Sequence, residues 1–342
     1  MHPLTAIAAG ADARDRAEPA FPEEPLRLLE DAGALAATLP RGDGSRPSAD
    51  EEWSLLRRVA AADGSVARIL DGHLNGVDRI CALAPEPLRR AEIAAVERRA
   101  RRIGVWGADP GPGEGEPAQL VDGRVRGVKV FCSGAGGVDR ALVTVRAGGD
   151  VLLAYVDVTR ATEIDRGWFR GSGLRTSESH RVVFHGAPVV AVLGGPGELG
   201  RDPAFSLDAM RTAACWVGMG EGAAETALDV LAQHDGDPLS ALAAGRIVGA
   251  RATMRAVIGE EARRVGEGAL DDLRARSVHL RAAVADACRT ILSEAARAGG
   301  SRALAAGPAL DRWRRDLDLF LLQHRLDPMV AEVGRREIAD RR

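Results

Sequence analysis

Lysine is almost missing: it occurs once, at Lys129, in a chain of 342 residues whose lysines and arginines together number 46. Arginine carries nearly all the positive charge, and alanine and glycine are abundant, so arginine number by itself marks no binding patch. The formal net charge is only −3, which gives no reason to expect nucleic acid or an anionic membrane as a general partner. Cysteine is scarce too. Its four copies (Cys81, Cys132, Cys215 and Cys288) form no C-x-x-C pair and no zinc-like spacing with histidine, so reduced, buried thiols in a cytoplasmic protein are expected. No apolar run approaches the ~18 residues that span a bilayer. Met1-His2-Pro3 and the Asp/Arg/Ala mixture after it do not make a signal peptide, and residues 1–22 are expected to form a flexible arm. Phosphate-loop and G-x-S-x-G nucleophile patterns are absent.

What is present divides into three zones. Residues 23–102 read as helical: an amphipathic stretch from Pro25 to Leu39, a Gly/Ser/Pro loop, then helices over Ala49–Ala62 and Ser65–Leu83 and a last one rich in arginine. Ile69, Leu70, Val77 and Ile80 form one apolar face, and His73 lies on it. Over residues 103–205 the period changes to two. Strands are expected at Ile103–Trp106, Val125–Cys132, Ala141–Val145, Val151–Val156 and Arg181–Phe184. Asp109–Pro117, rich in Gly and Pro, reads as an ordered loop or lid. Residues 206–342 return to helix, with Ser206 as the expected N-cap and an apolar stripe of small residues that favours a tight bundle. Pro308 opens the last expected helix.

Three segments stand out. Gly127-Val128-Lys129-Val130-Phe131-Cys132-Ser133-Gly134-Ala135 is a strand running into a tight turn, with a hydroxyl where the strand ends. Trp168-Phe169-Arg170-Gly171-Ser172-Gly173-Leu174-Arg175-Thr176-Ser177 precedes another strand, and Leu310-Asp311-Arg312-Trp313-Arg314-Arg315-Asp316 lies near the end. Together they resemble the acyl-CoA dehydrogenase superfamily, with its G-x-K-x-(F/W)-x-(S/T)-(N/G)-(G/A) strand and its R-x-x-R-D segment. The resemblance covers residues from about 25 to 335. It implies an α+β fold: an N-terminal helical domain, a central β-barrel-like domain that contacts flavin, and a C-terminal four-helix bundle.

A flavin ring needs a flat apolar wall, donors at its polar edge and exclusion of water. Ser133 and the backbone of Gly134 could supply the donors, and Trp106 and Trp168 the aromatic faces. The resemblance implies that Ser133 contacts the flavin and that Trp106–Ala108 line its other edge; Thr176 and Arg315, inside the matched segments, are further expected cofactor contacts. His324 continues the stripe of Leu310, Trp313, Leu317 and Phe320, and it falls where the superfamily's catalytic Glu follows the R-D pair. A histidine there, with His73 in an N-terminal helix, is similar to the flavin-dependent monooxygenase branch, such as dibenzothiophene monooxygenase, which uses reduced flavin and O2.

The sequence also departs from the superfamily. Its T-E-P-x-x-G-S-D loop here reads Ala108-Asp109-Pro110-Gly111-Pro112-Gly113-Glu114-Gly115, and Ala296–Gly300 lacks the Gln that reaches an adenine. The ADP half of FAD is thus poorly provided for, and FMN, or reduced flavin supplied by a separate reductase, becomes credible. The reading favoured is a monooxygenase acting on a small organic substrate as a homotetramer or homodimer. The alternatives are an acyl-CoA or carrier-bound acyl dehydrogenase with His324 as base, and a non-catalytic subunit paired with an active homologue.

Overall fold

The computed structural model describes residues 2–233, 237–323 and 325–341. Among them the chain runs through helices, a sheet and helices again. The first group is α1 (Pro3–Arg16), α2 (Glu23–Asp31), α3 (Ala49–Ala62), α4 (Gly64–Leu83) and α5 (Glu86–Glu97). Local signals set these ends. Ser48 and Glu51 cap α3 reciprocally. Asp63 ends α3 and starts α4, its Oδ1 accepting from the amides of Ser65 at 2.9 Å and Val66 at 3.1 Å.

The segment expected as a flexible arm is, over Pro3–Arg16, a docked helix. Helix α1 buries Ile7 and Ala11, and three ion pairs tie it down: Arg14 to Asp63 at 2.8 Å, Asp12 to Arg312 at 2.8 Å and Asp15 to Arg315 at 2.6 Å. Two of these partners lie some 300 residues away, so the local mixture of Ala and charge gives no hint of them.

The strands are β1 (Ile103–Trp106), β2 (Gln119–Val121), β3 (Arg124–Cys132), β4 (Arg140–Ala147), β5 (Asp150–Asp157), β6 (Thr162–Asp165) and β7 (His180–Leu193). β4 pairs with β5, β5 with β7, β7 with β3 and β3 with β2, all antiparallel. β2 then meets β4 through Gln119 and Arg146, so the pairing returns to its start. β1 adds to β4 in parallel, and β6 adds to β7. The inner side chains, among them Val125, Cys132, Val143, Ala154, Val182 and Phe184, make a core of their own. β2 and β6 are too short to show an alternating pattern, and β7 runs nine residues beyond the expected Phe184.

The second helical group is α6 (Ala204–Leu231), α7 (Pro238–Gly266), α8 (Leu273–Ala305), α9 (Pro308–Phe320) and α10 (Leu326–Ala339). Helix α6 starts before Ser206, whose amide and hydroxyl both bond Asp202 Oδ1, at 3.2 and 2.6 Å. Small residues on α6 admit near-backbone contact: a Cβ at Gly218 would stand 2.1 Å from the carbonyl oxygen of Arg57 on α3. The expected last helix is two, since α9 ends at Phe320 and α10 follows with Pro328 in its first turn. No helix of the described residues is long and apolar enough to cross a membrane.

Candidate functional site

The strand–turn motif is built around Ser133. β3 ends at Cys132, Phe131 takes a left-handed backbone (φ +52°), and the chain folds back through Gly134 (φ +76°) and Gly136 (φ +89°). Both glycines are favoured by their left-handed backbone, and at Gly134 space is short as well, since a Cβ there would stand 3.0 Å from Val138. The turn is stitched to the start of β7: Gly134 donates to the Ser177 carbonyl at 2.8 Å and Ala135 to that of Glu178 at 3.1 Å.

Ser133 sits in a row of three hydroxyls. Its Oγ lies 2.9 Å from Ser179 Oγ, which lies 2.8 Å from Ser177 Oγ. Each hydroxyl can donate and accept, so the row can pass a hydrogen bond along and leave Ser133 free to offer either role. Trp106 is fully buried, and its Nε1 donates to the Ser133 carbonyl at 3.0 Å. Its role here is to hold the strand end, and it presents no free aromatic face. The accessible aromatic surface comes instead from Phe131, 52% exposed, and the half-buried Trp168, which meet edge to face at 4.9 Å.

The Gly/Pro loop is held from several sides. Glu114 accepts from Trp168 Nε1 at 2.8 Å and from the Gly111 amide at 2.7 Å, which keeps its carboxyl below the usual range. Its carbonyl takes Arg181 Nε at 2.9 Å. Lys129 explains its own singularity. Its Nζ, 1% exposed, donates to Asp109 at 2.6 Å, to Thr144 at 2.5 Å and to the Gly107 carbonyl at 3.4 Å. Three acceptors around a point suit an ammonium, whereas a planar guanidinium needs a flatter, wider site. Burial lowers its pKa and the Asp109 pair opposes that. Ala108, beside this anchor, is exposed.

Close in sequence to Ser177 and Glu178, whose carbonyls hold the Ser133 turn, lies a histidine that the sequence reads as structural or surface. His180 is buried against Phe169, edge to face at 6.4 Å. Its Nε2 is 3.2 Å from Glu178 Oε2 but out of line, so neither ring nitrogen makes a hydrogen bond. Glu178 is itself 1% exposed and pairs with Arg166. Its left-handed backbone (φ +48°) is visible only in the fold.

The other expected site residues scatter. His73 is a strut: Nε2 donates to the Leu35 carbonyl at 2.9 Å, and Nδ1 accepts from the Ile103 amide at 3.0 Å. Burial drops its pKa to about 4, so it is neutral, and both nitrogens are already engaged. Arg315 pairs with Asp15 and Asp311 and donates to the Ser172 carbonyl. Its charge is spent on holding α1 and the 172–174 segment, an arrangement that leaves it little for a phosphate. Thr176 is buried next to the serine row. His324 lies outside the described residues, while the stripe leading to it is in place, with Leu310, Trp313, Leu317 and Phe320 all buried.

Helices meet this turn directly. Ile69 of α4 is 3.6 Å from a Cβ placed on Gly134, and Leu319 of α9 is 3.1 Å from one placed on Gly171. Asp316 accepts from the Leu174 amide at 2.6 Å, and burial raises its pKa to about 7. The Ser133 hydroxyl, the aromatic surface and the loop therefore converge where the sheet meets α4 and α9, while the amides of Gly134 and Ala135 are engaged within the turn. The hydroxyl and the apolar groups suit the ring of a flavin. Among the described residues no group of His, Cys, Asp and Glu is arranged to hold a metal.

No model of a known protein family and no curated protein sequence matches the chain. Solved structures do. FMN-bound TdsC from Paenibacillus sp. A11-2 superposes with a TM-score of 0.83 at 21% identity, over 97% of this chain and 94% of that one. Methanesulfinate monooxygenase MsuC from Pseudomonas fluorescens gives 0.81 at 20% identity, over 97% and 94%. A nitrososynthase from Micromonospora carbonacea var. africana gives 0.79 at 22%, over 98% and 94%. Identities near one in five speak for the backbone and not for the chemistry. The chain thus has, over nearly its whole length, the acyl-CoA dehydrogenase fold that these flavin enzymes share.

Proposed function

We propose that this protein is a flavin-dependent monooxygenase that uses reduced flavin, by preference FMN, and O2 to oxygenate a small organic substrate. The observation that carries the reading is the Ser133 turn: a hydroxyl row beside the Phe131–Trp168 surface, in a fold shared with FMN-bound TdsC. The missing Gln of the Ala296–Gly300 segment favours FMN over FAD. A separate reductase supplies the reduced flavin, and the working form is a homotetramer or homodimer in the cytoplasm. The finer layout follows: a helical domain over 23–102, a barrel-like β-domain over 103–205 and a four-helix bundle after it.

When bound, the reduced flavin supplies two electrons and two protons, so that one atom of O2 enters the substrate and the other leaves as water. Ser133 would donate to the ring, its hydroxyl oriented by the serine row. Trp106 holds the Ser133 backbone, Lys129 holds the Gly107 carbonyl, and Phe131 with Trp168 would shield a bound ring from water. His324, from its place after Arg315-Asp316, holds or moves a proton near the substrate.

The test is flavin binding followed by turnover. Protein that tightens on reduced FMN and oxygenates a substrate in air supports the reading, and His324→Ala then cuts turnover sharply with the melting temperature nearly unchanged. Tightly held FAD that bleaches anaerobically on adding an acyl-CoA would establish dehydrogenation with His324 as base instead. Failure to bind either flavin in either redox state would leave a non-catalytic subunit.

A further inference from the structure

Arg281 on α8 is 1% exposed, yet its charge is unmet. Its Nη2 donates to the Gln323 carbonyl at 2.7 Å, Nη1 reaches only the Met329 sulfur at 4.0 Å, and Nε has no partner. No carboxylate among the described residues pairs with it, and burial alone draws its pKa down to about 10. The guanidinium lies over Trp216, 5.0 Å from the ring centre. Trp216 is itself fully buried, and its indole N–H also lacks an acceptor.

Two stacked, buried side chains therefore each keep an N–H without an acceptor, Arg281 Nε and Trp216 Nε1. A carbonyl and a ring face return only part of what a buried guanidinium loses on leaving water, and a thioether is a weak acceptor. The cluster is joined to the candidate site. Trp216 packs edge to face on Phe320 at 6.0 Å, and Phe320 receives Arg68 at 5.8 Å. Arg68 precedes Ile69, the residue that faces Gly134.

We propose that Arg281 and the Trp216 N–H form the anion-recognising end of the substrate pocket, so that the substrate carries a carboxylate or a similar oxyanion. The oxyanion takes the free guanidinium donors and the indole N–H, displacing the Met329 sulfur, which is the guanidinium's weakest contact. That the anion belongs to the substrate rests on the monooxygenase reading; the anion site itself does not.

The experiment is a thermal-shift and equilibrium titration of the whole protein with benzoate and with its neutral isostere benzamide, with and without FMN. Benzoate is expected to raise the melting temperature and to bind at least tenfold tighter than benzamide. Arg281→Gln should abolish that preference while FMN affinity stays as in the wild type, and Arg281→Lys should restore part of it. Should Arg281→Gln not fold, Trp216→Phe gives the second reading, with benzoate several-fold weaker. Equal binding of benzoate and benzamide, no response to benzoate, or a preference that survives Arg281→Gln would each overturn the inference. FMN failing to bind while the benzoate preference persists would overturn the flavin reading and leave the anion site standing.

Discussion

Two arginines of the helical layers, Arg211 on α6 and Arg281 on α8, are buried to nearly the same degree and provided for in opposite ways. Arg211 has Glu52 at 2.9 Å, Asp78 and Asp208 each at 3.4 Å, and Asn75 at 3.3 Å. Nearby carboxylates hold its pKa above the ordinary value despite burial. Arg281 has a carbonyl, a sulfur and a ring face, and its pKa falls. A buried cation ringed by anions is part of the scaffold. One left with free donors is a site awaiting an acceptor, because nothing in the fold depends on keeping its charge.

The largest effect should come from emptying the paired position. Arg211→Met strands three carboxylates and should cost about 3–5 kcal/mol in chemical denaturation. Arg281→Met removes an uncompensated charge and should lie within about 1 kcal/mol of wild type. Equal losses in the two variants would make Arg281 structural and end the contrast. Lys129→Met should fall between them, at about 1–3 kcal/mol, because the Thr144 oxygen loses its donor, while the Gly107 carbonyl keeps the Thr144 hydroxyl and Asp109 keeps Arg146 and solvent. Proteolysis between Ala108 and Pro117 should quicken in that variant, and an unchanged rate would deny Lys129 its hold on the loop. Ser133→Ala should weaken FMN roughly fivefold, equivalent to about 1 kcal/mol, with the melting temperature unmoved.

The subtlest effect is in pH. Asp316, raised to about 7 by burial, binds its proton more tightly folded than unfolded, so its contribution to stability is lost as pH rises from about 4 to 7. His73, lowered to about 4, does the reverse, and its contribution is lost as pH falls from about 6.5 to 4. The two slopes oppose each other across much of the same range. Asp316→Asn should therefore expose a stability that climbs with pH between about 4 and 6.5. A variant profile parallel to wild type would show that Asp316 does not titrate in that window.

Much of the fold was legible in the chain. Ala49–Ala62 and Ile103–Trp106 match the expected elements end to end, because caps, Gly turns and side-chain period are local signals. The Ser133 turn was legible for the same reason. His73 was readable only as a histidine on an apolar face, and its two backbone partners lie 38 and 30 residues away. Trp106 was expected to offer a face and instead offers its N–H, since burial on the inner side of the sheet follows from strand pairing. His180 was readable only as a histidine before a strand, as easily at the surface as inside, because its burial depends on the backbone bend at Glu178.

The sequence by itself determined the order helix, sheet, helix, the strand that ends in Ser133 and the single lysine beside it, since neighbours in the chain impose those features on one another. Only the tertiary structure decided that α1 docks on α9, that the sheet's pairing returns to its start, and that His73 is a strut. It also decided which of many chemically identical arginines is neutralised and which is left with donors to spare. Arg211 finds Glu52 from 159 residues away, and no local pattern carries that information, because the dielectric and the partners of a buried charge are set by whatever the folded chain brings around it.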